Sequence, residues 1–262
     1  MRRDLTDEEW GTFLEQGYLP LGPVVSGEEL RALQQRIDDI MLGTAPVPYE
    51  RMMLQLDTTT GQYKDMDPQT KGHKGATLTY RKIQDLELDP LFLSYMQKPL
   101  FRNICVRAYG AGTPVACFRA MFMNKPAKRG TVLPWHQDIF ADLDRDPVVT
   151  VWMAMDPATI ENGCVKILPG SHRRPMPEDR RAFLTEEEVD GLLRTTQPAY
   201  LECPAKEAFL LHNRLVHSSD VNPTGRPRRA FSVCYIDGRT VSSNGTVFSR
   251  IFGEGALQPE SL

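Results

Sequence analysis

The sequence predicts a mainly β protein, a cupin-like jelly roll with α-helices packed outside it. Three observations point there. Beyond about residue 100 the chain breaks into many short apolar runs, such as Val148 to Met155, Ala208 to His212 and Ala230 to Ile236. Glycine and proline punctuate these runs, 19 and 20 of them in 262 residues, which supplies the turns that a many-stranded fold requires. Helical spacing is confined to a few stretches, so helices are expected around the β core rather than within it.

In order along the chain, Thr6-Asp7-Glu8-Glu9 forms a capping box, with the Thr6 hydroxyl and the Glu9 carboxylate each satisfying the other's amide. Trp10, Phe13 and Leu14 then share one helical face. Gly17 ends that helix, and Tyr18 to Leu21 reads as a short strand. Ser26 and Glu29 open a second helix with Leu30, Leu33, Ile37, Ile40 and Met41 at helical spacing. Together these N-terminal helices, residues 1–42, are expected to cover one side of the core.

Residues 43–80 have poor periodicity and many Gly, Pro, Thr, Asp and Lys, and are expected to form a lid loop anchored by Met52, Met53, Leu54 and Leu56. His73, between Lys71 and Lys74, is expected to be solvated. A short helix at about 90–98 leads into a β core at 100–240. Its strands are expected at Ile104 to Tyr109, Val115 to Met123, Val148 to Met155, Cys164 to Leu168, Tyr200 to Cys203, Ala208 to His212 and Ala230 to Ile236. Thr185 and Glu188 cap one inserted helix carrying Val189, Leu192 and Leu193. One domain spanning 1–262 accommodates these elements, since large β folds commonly reach this length.

Composition narrows the functional classes. A net charge of −3 gives no electrostatic case for nucleic acid. No apolar run approaches the roughly 18 residues of a membrane span, and Met1-Arg2-Arg3-Asp4 leads into a polar helix rather than a signal core. The five cysteines are scattered with no Cys-x-x-Cys pair, which suits a cytoplasmic protein and argues against both a zinc knuckle and a disulfide frame. The partner expected is a small-molecule substrate; oligomeric state is not encoded in anything recognisable.

The chemistry gathers at Leu133-Pro134-Trp135-His136-Gln137-Asp138. On an extended strand, side chains at i and i+2 leave the same face, so His136 and Asp138 point together. They supply two thirds of a 2-His-1-carboxylate triad, which holds Fe(II) on one face and leaves positions open for small ligands. The best candidate for the second imidazole is His217, just after the apolar Phe209-Leu210-Leu211 run. His212 is placed to cap a turn and His172 to bond backbone. An Fe(II) oxygenase draws electrons from a co-substrate, commonly a 2-oxo acid, whose far carboxylate suits an arginine fork. Arg228, opening the strand after His217, is in position for that, with Arg226 and Arg229 as substitutes.

The set His136-Gln137-Asp138, Glu161-Asn162-Gly163-Cys164, Leu168-Pro169-Gly170-Ser171-His172, and His217-x-Ser219 followed by Arg228 resembles the phytanoyl-CoA dioxygenase family. Lys82-Ile83-Gln84-Asp85 and Met121-Phe122-Met123-Asn124-Lys125-Pro126 look like that family too, so the likeness runs from about residue 80 to 236. The resemblance implies a double-stranded β-helix that uses Fe(II), 2-oxoglutarate and O2. It implies His136, Asp138 and His217 as iron ligands and Arg228 as the clamp on the distal carboxylate of 2-oxoglutarate. It also places Ser219, Lys82, Met121, Gln137 and Trp152 against that cosubstrate.

The reaction it implies is hydroxylation of an unactivated carbon in a small polar metabolite or natural product, with release of succinate and CO2. Family-like halogenases carry a small residue in place of the carboxylate, so Asp138 favours hydroxylation. The same cofactors could instead serve desaturation, epimerisation or ring closure. Two further readings are a metal-free jelly-roll binding protein and a metal hydrolase on a cupin barrel, which would leave Arg228 and Ser219 without roles. Strand alternation, finally, puts Cys117, Arg119 and Met123 on the inner face with Met121. An arginine there either pairs with an internal carboxylate or binds an anionic or hydroxyl-rich group of the prime substrate.

Overall fold

The computed structural model describes residues 1–262 as thirteen strands and five α-helices. The first helix, α1 (Asp7–Gln16), opens with the expected capping box: the Glu9 amide donates to Thr6 Oγ1 at 3.2 Å and the Thr6 amide to Glu9 Oε2 at 2.8 Å. Gly17 closes it in the left-handed conformation (φ 77°), where a Cβ would lie 2.4 Å from His172 Nδ1. β1 (Tyr18–Pro23) follows. Then comes α2 (Gly27–Leu42), capped by Ser26 and Glu29 and burying all five residues of its predicted stripe. The chain continues through β2 (Met53–Leu56), β3 (Thr70–Lys71), β4 (Tyr80–Ile83), α3 (Pro90–Met96), α4 (Pro99–Tyr109), β5 (Val115–Lys125) and β6 (Leu133–His136). It ends with β7 (Val149–Ala154), β8 (Val165–Ile167), α5 (Glu186–Leu193), β9 (Ala199–Tyr200), β10 (Glu207–His212), β11 (His217–Ser219), β12 (Arg228–Asp237) and β13 (Arg250–Phe252).

The strands form a jelly roll of two antiparallel sheets. The large one runs β1-β10-β7-β12-β5-β4-β2-β3, with β13 also paired to β5, and the small one runs β6-β11-β8-β9. Alternation along β7 shows how space is divided. Val149, Val151 and Met153 enter a core of 39 buried residues that the large sheet shares with α2, α3 and α4. Trp152 and Ala154 turn the other way into a cluster of only 12, with Val165 and Ile167 of the small sheet. The main hydrophobic core therefore lies outside the large sheet, and the space between the sheets is left largely for a cavity.

Several elements differ from expectation. Ile104 to Tyr109 is not a strand but the second half of α4, because Leu100, Phe101, Ile104 and Cys105 fall on one helical face and bury together. The expected helix at 90–98 is α3, ended before Pro99, which starts α4 instead. Leu14 is 51% exposed, off the face that buries Phe13. The segment 43–80 contributes β2 and β3 to the edge of the large sheet, with Met52 and Leu54 fully buried. His73 is not solvated: its Nε2 lies 3.0 Å from the Met41 carbonyl, and its ring stands between Tyr49 and Tyr80.

Candidate active site

His136 ends β6 and His217 begins β11, and the two are direct cross-strand partners with ring centroids 4.0 Å apart. Asp138 arrives from the loop rather than from the strand, since β6 stops at His136. Backbone bonds fix that loop: the Gln137 amide donates to Ala182 O at 2.9 Å and the Asp138 amide to Asn213 O at 2.8 Å. One ligand atom from each of His136, Asp138 and His217 lies within 4.8 Å of the others. Nδ1 of His136 is 2.9 Å from Pro134 O, and Nδ1 of His217 is 2.9 Å from Leu215 O. Each Nδ1 thus donates to a carbonyl and leaves Nε2 as the ring atom that can face a metal, the arrangement metal-ligating histidines use.

Burial, and then the neighbouring His217, push the His136 imidazole well below its ordinary pKa, so it stays neutral. Burial works to raise Asp138, but His217, His136, Arg119 and Lys82 outweigh it and hold the carboxyl ionised. Two imidazoles and one carboxylate with open space beside them are the donor set that fits a ferrous ion.

The triad opens on a cavity of about 390 Å³ between the sheets. Its walls include every residue expected at the site: His136, Asp138, His217, Arg228, Ser219, Lys82, Met121, Gln137, Trp152 and Arg119. Strand phase separates the three arginines of the 226–229 turn. Arg228 points inward and is 3% exposed, whereas Arg226 is exposed on the turn. Arg229 points outward, held by Asp156 at 2.8 Å and Asp38 at 2.7 Å. Arg228 Nη2 donates to Gly163 O at 3.2 Å, its guanidinium stands 5.8 Å from the Trp152 ring centre, and its Nε has no partner. The buried Trp152 Nε1 and Ser218 Oγ also lack partners.

One residue of this wall was missed in the sequence. Lys125 is 4% exposed, lines the cavity and sits directly opposite Arg228 across the β5–β12 pair. Its Nζ donates to Thr131 O at 2.7 Å, and no carboxylate pairs with it. Burial pushes its ammonium well below the ordinary lysine value, with Arg228 adding to the effect, and burial pulls Arg228 down to about 10. Like charges opposed on neighbouring strands repel, and a dicarboxylate's far end is what such a pair accommodates. The signal was present, since Lys125 follows Met121 and Met123 at strand alternation.

Arg119 faces the cavity as expected, but Cys117 does not. Cys234 pairs with Arg119 and Tyr235 with Cys117, so Phe118 is an extra residue on β5. This bulge resets the alternation, and Cys117 joins the outer core while Arg119, Met121 and Met123 line the cavity. No internal carboxylate pairs with Arg119. Its guanidinium lies beside a touching pair of phenyl rings, 4.9 Å from the Phe118 centre and 4.4 Å from that of Phe140. Lys82, on β4 opposite Met123, is pushed down to about 7 by burial and then by Arg81 and Arg119.

The remaining histidines are structural. The Arg214 amide donates to His212 Nδ1 at 3.1 Å, the expected turn cap, although the His212 ring also edges the cavity. His172 Nε2 lies 3.0 Å from Leu14 O and ties the jelly roll to α1.

Comparison with known proteins bears on the family and the fold. A family profile described as phytanoyl-CoA dioxygenase (PhyH) matches residues 13–230. A probable phytanoyl-CoA dioxygenase of Caenorhabditis elegans is 26% identical over 92% of this chain and 80% of its own length. The phytanoyl-CoA dioxygenase of Arabidopsis thaliana is 23% identical over 89% of both. Among solved structures, the non-heme α-ketoglutarate-dependent carbocyclase SnoK from nogalamycin biosynthesis superposes with a TM-score of 0.68 at 22% identity, covering 92% of this chain and 88% of that one. EctD from S. alaskensis with bound Fe gives 0.67 at 17% identity, covering 89% and 77%. EctD has also been solved with 2-oxoglutarate and 5-hydroxyectoine.

Proposed function

Because the chain belongs to the phytanoyl-CoA dioxygenase family of Fe(II)- and 2-oxoglutarate-dependent oxygenases, we propose that it hydroxylates an unactivated carbon of a small metabolite. One 2-oxoglutarate and one O2 are consumed; one oxygen atom enters the substrate C–H bond and the other enters succinate, with release of CO2. The observation that carries this reading is the complete donor set, with both histidine Nε2 atoms free and the Asp138 carboxylate ionised beside them.

In this reading His136, Asp138 and His217 hold the iron, and the carbonyls of Pro134 and Leu215 fix the imidazole planes. When bound, iron with 2-oxoglutarate supplies the oxidising power for the substrate. Arg228, Lys125 and Ser219 would hold the distal carboxylate, with the buried, unpartnered Arg228 Nε among the donors available to it. Trp152, Met121, Gln137 and Lys82 wall the cosubstrate and keep water from it. With Asp138 present as the third ligand, no position would be vacated for a halide, which favours oxygen transfer over halogenation. A second reading keeps the cofactors and changes the outcome to desaturation, epimerisation or ring closure. It is favoured by the likeness to a carbocyclase.

The test is anaerobic iron titration followed by succinate measurement with 2-oxoglutarate and O2. Wild type should bind about one iron and release succinate, whereas Asp138→Ala should stay folded, bind iron at least roughly tenfold more weakly and lose turnover. Wild-type iron content and turnover in that variant would remove the triad from the account.

A further inference from the structure

The cavity carries more positive charge than its cofactors consume. Arg81, Lys82, Arg119, Lys125 and Arg228 line it, and Asp138 is the single carboxylate among its walls. Iron(II) and the 2-oxoglutarate dianion cancel each other, so an excess of cations remains after both have bound. The surplus is not spread evenly. Arg81 donates to Gln55 Oε1 at 3.1 Å and lies over Tyr63, while Lys125 and Arg228 form the clamp at one end of β5.

Arg119 stands near the middle of β5, six positions before Lys125, which at about 3.3 Å per residue puts their backbones roughly 20 Å apart. With Lys125 and Arg228 opposed to each other as the clamp for the distal carboxylate, Arg119 has no carboxylate partner of its own and is left for a second anion.

The setting of Arg119 defines what it can take. Phe118 and Phe140, whose ring centres are 4.3 Å apart, pack together against one side of the guanidinium, and its N–H groups bond no protein acceptor. A flat fork matches the two oxygens of a carboxylate. Phe140 is two residues beyond Asp138, so the guanidinium stands beside the metal ligands. The cavity wall is apolar at Ile139, Phe140, Ala182 and Phe183, and the Thr150 hydroxyl across the sheet from Arg119 already donates to Asn213 Oδ1.

Resting on the oxygenase reading above, we propose that the prime substrate is an organic carboxylate with an apolar segment, gripped through its carboxylate by Arg119. The carbons beyond that carboxylate then lie along the apolar wall toward the triad. Recognition of the substrate and of the cosubstrate thus uses two cationic stations on one strand, Arg119 at its middle and Lys125 at its end.

The experiment uses full-length protein loaded with Mn(II) and N-oxalylglycine, an unreactive 2-oxoglutarate analogue that fills the cosubstrate end. Hexanoate and hexanamide then serve as matched probes, read by thermal shift and calorimetry. Hexanoate should stabilise the loaded protein and hexanamide should not. Arg119→Met should weaken hexanoate by at least about thirtyfold while keeping the shift due to N-oxalylglycine. Arg119→Gln provides the same comparison should the methionine variant fold poorly. Equal shifts from the two probes, no shift from either, or a hexanoate shift that survives in the folded variants overturns the proposal. Preference for inorganic phosphate over hexanoate overturns the carboxylate assignment. If Mn(II) and N-oxalylglycine do not stabilise wild type, the oxygenase reading itself fails; if they do and hexanoate does not, only the Arg119 assignment fails.

Discussion

Two neighbouring arginines, Arg228 and Arg229, have opposite fates because consecutive residues of a strand face opposite ways. Arg228 enters the cavity without a carboxylate partner, and Arg229 is clasped outside by Asp156 and Asp38. Arg228→Ala should therefore raise the 2-oxoglutarate requirement about thirtyfold or more, from a contact worth on the order of 2–5 kcal/mol, with iron binding retained. Arg229→Ala should lower the melting temperature and leave that requirement unchanged. Steady-state kinetics on both variants decide between them. The sequence could propose the turn but could not choose among its arginines until the phase of β12 was known.

Glu87 offers a residue-scale prediction far from the chemistry. Burial raises its carboxyl from the ordinary value to about 7; Ser249 Oγ donates to Oε1 at 3.1 Å, and Oε2 has no partner. Below about pH 4.5 the group is protonated in both folded and unfolded chains and costs nothing. As pH rises from there toward 7, the unfolded chain releases its proton first, so the folded state loses stability through that window. Above 7 the penalty is complete, at most on the order of 3 kcal/mol. Glu87→Gln should therefore gain on wild type progressively between pH 5 and 7.5, as read from urea midpoints. A constant difference across that range would show that Glu87 does not titrate there.

At the scale of elements, capping boxes were the most legible feature. Thr6/Glu9, Ser26/Glu29 and Thr185/Glu188 all form as the spacing requires, because a cap is a contact between residues three apart. Strand phase was less legible. Nothing in Ala116-Cys117-Phe118-Arg119 announces an extra residue, since the bulge exists only relative to β12, whose sequence lies more than a hundred residues away. The β5–β12 pair also opposes Lys125 to Arg228, an arrangement that costs stability until an anion arrives. Lys125→Met should raise the melting temperature of the ligand-free protein and weaken 2-oxoglutarate binding. A fall in that temperature with unchanged binding would make Lys125 a structural tether to Thr131.

At the scale of the whole molecule, the order of motifs foretold a jelly roll, but not where its core would lie. The apolar stripes of α2, α3 and α4 needed a face to cover, and they took the outer face of the large sheet. The small sheet is left with short strands, 12 inter-sheet core residues and two of the three triad side chains. Its β6 and β11 amides should exchange faster than those of β7 and β12 in the ligand-free protein. Mn(II) with 2-oxoglutarate should slow β6 and β11 selectively, because it ties their histidines to Arg228 on the large sheet. Hydrogen exchange with peptide resolution measures this, and equal protection of both sheets would count against such a bridge. The meeting of His136 and His217 was legible only through the motif resemblance, as local patterning says nothing about which distant strands pair.

The bulge at Phe118 has a consequence for how such a protein can diverge. Upstream of it, β5 is bound to the outer core through Cys117; downstream, Met121, Met123 and Lys125 keep the cavity phase. Phe118 and Arg119 lie at the junction, where neither the pairing of the outer core nor the phase of the clamp fixes their identity. If Arg119 grips the substrate as proposed, drift at these two positions would change what is accepted while the triad and the clamp are inherited. Such a lineage would have a short path to a new substrate without first losing its cofactor sites.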